Sequence, residues 1–291
     1  MPNLKDIRRR IKSVKNTQQI TKAMKMVSTA RLRRAKERVL AAGPYARTMT
    51  TVLQDLAGQA GEISHPLLDP REGDSILLVL VTSDKGLCGA FNTNLLKAAQ
   101  QFIADHADKK VQMVTIGRRG RDFFRRRGAN IVSDYVDVTG GVVKYEDAVE
   151  IARDVIARFT DEDGSIDCVY VLYTEFKSAI SQHVTTKQLL PISDITGEAP
   201  EGLTPTDYIY EQPPAEIFGR LLPRFIETQI YYSMIESTAS EQGARMTAMD
   251  SASNNAADLI DRLTLVANRV RQAAITNEII EVVSGAQALE G

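Results

Sequence analysis

Apolar positions change their period along the chain, and each change marks an element. Leu4, Ile7, Ile11 and Val14 recur at spacings of 3, 4 and 3, the seam of a heptad helix. Gln18, Thr21 and Lys25 carry the same seam onward in polar residues. Residues 1–40 contain one proline, Pro2, and no glycine, so a helix opens at Pro2 or Asn3 and runs on. Gly43 and Pro44 in "AAGPYA" predict a kink or a stop, after which Val52, Leu53 and Leu56 resume the pattern. The stretch "GQAGEISHPLLDPREGD", residues 58–74, reads as a linker.

The C-terminal pattern is longer. Met246, Met249, Ser253, Ala256, Ile260, Leu263, Ala267, Val270 and Ala274 alternate by 3 and 4 without a break, which predicts a coiled coil. Ile217, Leu221, Leu222, Phe225 and Ile226 extend the apolar pattern backwards towards Pro213 and Pro214. A helix of about 60 residues rising ~1.5 Å each is roughly 90 Å long, more than a compact domain of this chain can span. Its seam is rich in Ala and Ser, so each step buries little area at ~25 cal/mol per Å² and the predicted rod is thin.

Between these ends the period switches. "SILLVLVTSD", "KVQMVTIG", "ANIVSDYVDV", "IDCVYVLYTEF" and "QHVTTKQLLPI" read as strands. "NTNLLKAAQQFIADHA", "RRGRDFFRRRG" and "YEDAVEIARDVIARF" read as helices. Strands alternating with helices predict a mainly parallel, Rossmann-like α/β domain, with the last two strands as an antiparallel edge. The expected fold class is α/β: a long antiparallel coiled coil of the N- and C-terminal helices with this domain inserted. The predicted bounds are 1–60, 75–195 and 210–291.

Charge explains which helices pair. The net charge is −1, but residues 1–40 hold 13 Lys/Arg against 2 Asp/Glu, whereas residues 224–291 hold 5 against 9. A basic helix and an acidic helix attract, which favours pairing within the chain. The basic helix alone also suits a nucleic-acid backbone. Residues 1–40 contain no aromatic residue, however, and the rest of the chain is acidic. No apolar run is long enough for a bilayer, and no signal-peptide pattern opens the chain. The Arg-rich start resembles a transit peptide, but Asp6 and the continuing helical pattern count against one.

Candidate chemistry is sparse. The turn "TSDKGLCGAFNTN" stands where doubly wound folds bind phosphates, but it is not GxGxxG, and GxxxxGK[ST] is absent. His65, His106 and His183 are scattered, and Cys88 and Cys168 form no CxxC, so neither a metal site nor a thiol site is predicted. Six arginines between Gly117 and Gly128 suit an anion or simply a solvated helix face. One open reading is therefore an α/β enzyme with a coiled-coil dimerisation arm, lacking its phosphate turn. Another is a scaffold without a catalytic site.

Four long stretches carry a resemblance. "IRRRIKSVKNTQQITKAMKMVSTARLRRA", "SDKGLCGAFNTN", "ARMTAMDSASNNAADLI" and "VRQAAITNEIIEVVSGAQAL" resemble the gamma subunits of F-type ATP synthases, in the expected order and over essentially the whole chain. The resemblance implies a central stalk that turns inside a ring of alternating alpha and beta subunits. Its foot would bind the epsilon subunit and the membrane ring of c subunits, coupling proton flow to ATP synthesis or hydrolysis. It implies no nucleotide, no cofactor and no catalytic residue of its own. It places Met24 and Lys25 near the lower rim of the ring. It gives Arg271, Gln272, Thr276 and Glu278 polar contacts with the ring, and puts "VVSGAQALEG" in an upper bearing. Photosynthetic relatives carry an inserted regulatory cysteine loop; none is apparent here, so thiol control is not expected. The implied setting is the cytoplasmic face of a bacterial inner membrane, with contact to the membrane only through the c-ring.

Overall fold

The structure is a computed structural model that describes residues 3–60, 65–71, 73–161, 166–193 and 214–290. Helix α1 spans Leu4–Ala60. Strand β1 (Ser75–Val81), helix α2 (Phe91–Asp105), strand β2 (Lys110–Ile116), helix α3 (Arg118–Arg125), strand β3 (Ile131–Tyr135) and helix α4 (Tyr145–Thr160) follow. Strands β4 (Cys168–Phe176) and β5 (Gln182–Leu190) precede helix α5, Pro214–Glu290. By contact the chain divides into two compact units, residues 1–28 with 246–291, and residues 29–245.

In the first unit two helical segments run antiparallel. Gln18 Nε2 donates to the Ser253 carbonyl at 3.4 Å, and seven residues later Lys25 Nζ meets Asp250 at 2.6 Å, so one chain ascends as the other descends. The predicted seam is the buried face: Ile7, Thr21, Ser28, Met249, Ser253 and Ala256 are buried, and Ile260, Leu263, Ala267 and Val270 are half-buried. The seam departs from expectation at its end, since Ala274 is exposed and Ala273 is half-buried. Pairing Gln18 with Ser253 places Leu4, where α1 begins, opposite about residue 267, so the partner helix has run out. From 274 to 287 every residue of α5 is exposed.

In the second unit the sheet order is β3-β2-β1-β4-β5. Strands β1 to β4 pair in parallel, and β5 closes the edge antiparallel to β4. Strand β1 lies at the centre and is buried on both faces, as its unbroken aliphatic run requires. Leu78 and Leu80 point into a core with Phe91, Leu95 and Phe124 of α2 and α3. Leu77, Val79 and Val81 point the other way, into a core with α4, Leu53 and Leu56 of α1, and Phe218, Leu222 and Ile226 of α5.

Pro44 does not stop α1: the helix runs through it. Leu40, whose carbonyl loses its partner to the proline, and Pro44 itself are both exposed, so water can reach that carbonyl, while buried Gly43 faces inward. Part of the expected linker also differs. Residues 61–64 and 72 lie outside the described residues, but Leu67 is buried and its carbonyl accepts from the Ile192 amide at 2.9 Å.

Candidate partner interface and the filled ligand crevice

An open α/β sheet binds ligands beyond the carboxyl ends of its strands, where the strand order reverses. Here that place is between β1 and β4. The turn after β1 is Thr82-Ser83-Asp84, and it uses its acceptors on the opening of α3. Asp84 Oδ1 accepts from the Arg118 amide at 3.0 Å, the Ser83 carbonyl from Arg119 at 3.1 Å, and Thr82 Oγ1 from Gly120 at 2.9 Å. The first three amides of α3, on the β2 side of β1, are thus bound by the chain itself. Gly117 permits this approach: its φ is +97°, and a Cβ there would lie 2.2 Å from the Thr82 carbonyl oxygen.

The first βα turn is covered by a cation. The Arg245 guanidinium donates to the carbonyls of Lys85 and Gly86, at 3.5 and 3.1 Å, and pairs with Glu241 at 2.6 Å. Burial pushes the Glu241 carboxyl above its ordinary range, and its Oε2 has no partner among the described residues. Burial and then the Glu241 charge raise the Cys88 thiol too, so it is not a poised thiolate. Next to these residues α5 lies directly on β4, through bonds from Glu236, Ser237 and Ser240. The crevice is filled by protein.

The arginines of α3 are largely neutralised at home. Arg118 pairs with Asp137, Arg121 with Asp122 and Asp134, and Arg125 with Asp134, while Arg127, just past the helix, lies 3.6 Å above the Phe123 ring. That supports the solvated-face alternative. A cavity of about 660 Å³ opens elsewhere between α1, α4 and α5, lined by Tyr45, Tyr145, Tyr231, Tyr232, Arg153 and Arg224. Its carboxylate, Glu227, accepts from the Tyr145 hydroxyl at 3.0 Å, so no free acid–base pair is poised there. Among the described residues no cluster of three or more His, Cys, Asp or Glu could hold a metal, and no helix is long and apolar enough to cross a membrane.

The remaining candidates lie on the helices of the first unit. Met24 is half-buried. Ile20 and Val27, 59% and 52% exposed, lie 4 and 3 residues away on its face and form an outward apolar stripe. Lys25 sits on the seam itself, bound to Asp250, and is not simply directed outward. Arg271, Gln272, Thr276 and Glu278 are all exposed; the Thr276 hydroxyl donates to the Gln272 carbonyl of its own helix at 3.0 Å. Around them stand Ile275, Ile279, Ile280, Val282 and Val283, each at least 48% exposed. The sequence reading passed over these aliphatics. Their signal was present in "ITNEIIEVV", where apolar residues fall on several sides of the helix at once.

Comparison with known proteins decides the family. The family described as ATP synthase matches residues 3–289. The chain is 52% identical to the ATP synthase gamma chain of Solibacter usitatus and 48% identical to that of Desulfitobacterium hafniense, each with 100% of both chains covered. It belongs to the ATP synthase gamma-chain family. Among solved structures, a chain from the Euglena gracilis mitochondrial ATP synthase in rotational state 3 matches with a TM-score of 0.68. That match is at 19% identity and covers 98% of this chain and 94% of the other. A chain from the rotor of the same enzyme in rotational state 1 matches at 0.67 and 19%, covering 94% and 98%. These two likenesses show that the gamma-chain family fold is shared across distant sequences.

Proposed function

We propose that this gamma chain is the central rotary stalk of an F-type ATP synthase and has no catalytic site of its own. The observation that carries the reading is the end of α5. Fourteen consecutive exposed residues, 274–287, include Ile275, Ile279, Ile280, Val282 and Val283. A lone helix with apolar groups on several sides is poorly supported in water and calls for an enclosing partner. The ring of alpha and beta subunits is that partner, with Arg271, Gln272, Thr276 and Glu278 as its polar contacts. Met24, with Ile20 and Val27, faces the lower rim. Lys25 stiffens the shaft there through Asp250.

The filled crevice supports the non-catalytic role, since the fold's usual ligand position is taken by Arg245 and the side chains of α5. Coupling to a c-ring, binding of an epsilon subunit, and a place on the cytoplasmic face of a bacterial inner membrane complete the proposal. The rotor and c-ring of the Euglena gracilis structures support the coupling to a c-ring alone. Gentle purification tests it. The chain should co-elute as one copy with three copies each of two nucleotide-binding chains and one small epsilon-type chain. Elution alone, or micromolar ATP binding to the isolated chain by calorimetry, would overturn it.

A further inference from the structure

Strand β4 has more edge than β1 covers. Its nine residues run from Cys168 to Phe176, but β1 pairs only with Cys168–Leu172. After Val81 the chain of β1 turns away, and the Thr82 amide bonds to the Ile116 carbonyl of β2. The last part of β4 would therefore present unpaired backbone groups inside the fold, which is costly. Helix α5 supplies the missing partners. The Thr174 amide donates to Ser237 Oγ at 3.0 Å, and the Thr174 carbonyl accepts from Ser240 Oγ at 3.2 Å. The Phe176 amide donates to the Glu236 carboxylate at 2.7 Å.

These three side chains are 4%, 3% and 0% exposed, so water does not compete for the bonds. Their use is unusual for a helix. Ser233 and Thr238 give their hydroxyls to their own helix, to the carbonyls of Gln229 and Met234, both at 2.8 Å. Ser237 and Ser240 reach across to the strand. One turn further, Gly243 brings the helix backbone close to the turn after β4, where a Cβ would meet the Ala179 carbonyl oxygen at 3.1 Å. Residues 236, 240 and 243 follow the spacing of a single helix face.

Apolar contacts let a helix roll or slide by small steps, because they are not directional. Hydrogen bonds do not, since they weaken steeply with angle and distance. A rotation of α5 by one residue position, about 100°, breaks all three bonds at once. We propose that Glu236, Ser237 and Ser240 form a torsion clamp that locks α5 to the edge of β4, so that torque applied to the α/β domain passes into the helix without slip. This inference rests on the stalk reading and adds the residues through which the torque enters.

The test uses the assembled ATP synthase, with a bead tethered to the α/β domain and rotation followed during ATP hydrolysis. The double variant Ser237→Ala/Ser240→Ala removes two bonds and little volume. We expect its thermal angular fluctuation at a dwell to widen about two-fold and its torque to fall, while Glu236→Gln, which keeps an acceptor oxygen, stays near the parent. Fluctuation width and torque equal to the parent overturn the clamp. A parent complex that leaves the bead still overturns the stalk reading, and the torque role with it. Should the double variant fail to assemble, amide exchange in the full chain decides: Thr174 should exchange at least ten-fold faster in Ser237→Ala and Phe176 in Glu236→Ala. Unchanged rates at those amides refute the clamp.

Discussion

Asp84 offers the sharpest test of how the turn after β1 is held to its neighbours. Its side chain takes three donors: the amides of Arg118 and Asp137 on Oδ1, each at 3.0 Å, and the Thr139 hydroxyl on Oδ2 at 3.0 Å. Asp84 is 7% exposed and Thr139 2%, so these groups are poorly placed to find water. Asp137 is also held in a left-handed turn, at φ +62°. Replacing Asp84 by Ala removes three bonds to an ionised acceptor, each worth about 1.5–3 kcal/mol. Two terms reduce the sum. The buried carboxylate no longer has to be desolvated. Arg118 and Asp137 also have partly exposed side chains, so relaxation brings water to their amides. A net loss of about 2–4 kcal/mol remains. Asp84→Asn should behave differently. Its remaining oxygen can keep both amides, and its NH₂ can donate to the Thr139 oxygen while that hydroxyl turns to the Thr82 carbonyl, 3.4 Å away. We expect the Asn variant to lose about 1 kcal/mol or less. Urea unfolding followed by near-ultraviolet circular dichroism and tyrosine fluorescence compares the two. An Ala variant within about 0.5 kcal/mol of the parent would refute the account. An Asn variant as damaged as the Ala variant would show that charge, not bonding, holds the turn.

Other expectations follow from the helices. Ile260→Asp with Leu263→Asp places two carboxylates on a half-buried seam and should cost about 2–4 kcal/mol. ATP synthesis in vesicles should fail while near-ultraviolet dichroism of the α/β unit persists; normal synthesis would refute the seam's role. Met24→Lys adds a cation to the outward stripe beside Lys22 and Lys25. Protons pumped per ATP should fall with assembly intact, and an unchanged ratio would count against a rim contact. Burial, the leading cause, raises the carboxyls of Glu236 and Glu241 above the ordinary 4.5. The folded chain then keeps protons that the unfolded chain has released. Stability should therefore fall as pH rises from 4.5 through the raised values and level off above them. Glu236→Gln should reduce that slope in unfolding curves taken at several pH values; an unaltered slope would show that Glu236 does not contribute.

Much of this architecture was legible because burial leaves a periodic trace. The run Ser75–Val81 has no polar face, so it had to be a central strand, and the 3-4 spacing from Met246 to Val270 returned as the buried side of α5. At Pro44 the sequence left a kink or a stop open, and only the stop is excluded, because whether a proline ends a helix depends on whether water can reach the carbonyl it strands, and that depends on the fold. Lys25 fell on the predicted seam, but its partner there, Asp250, lies 225 residues away and left no local trace. The filling of the crevice left no trace in any local window. It comes from Glu236, Ser237 and Ser240 meeting Thr174 and Phe176 across about 60 residues of sequence, and helical serines ordinarily imply only a bond to their own helix.

The same two helices use different chemistry in the two units, and the difference fits a shaft. In the unit of residues 29–245 their segments bury Leu53, Leu56, Phe218, Leu222, Phe225, Ile226, Ile230 and Met234, large side chains whose removal typically costs several kcal/mol each. In the other unit the buried positions are Ile7, Thr21, Ser28, Met249, Ser253 and Ala256, four of the six small, with the half-exposed Lys25–Asp250 pair beside them. That pair is 42% and 46% exposed, so it contributes about 1 kcal/mol at most. A seam of small groups keeps the pair slender and holds it by register more than by area. A slender pair costs stability, but it leaves its outer face free to carry Ile20 and Val27, while Ile275 and Ile279 stand exposed on α5 beyond the pair. Strong adhesion belongs where torque must enter without slip, and weak, non-directional contact belongs where a shaft must turn. The distribution of large apolar, small polar and exposed aliphatic residues along α1 and α5 follows that division.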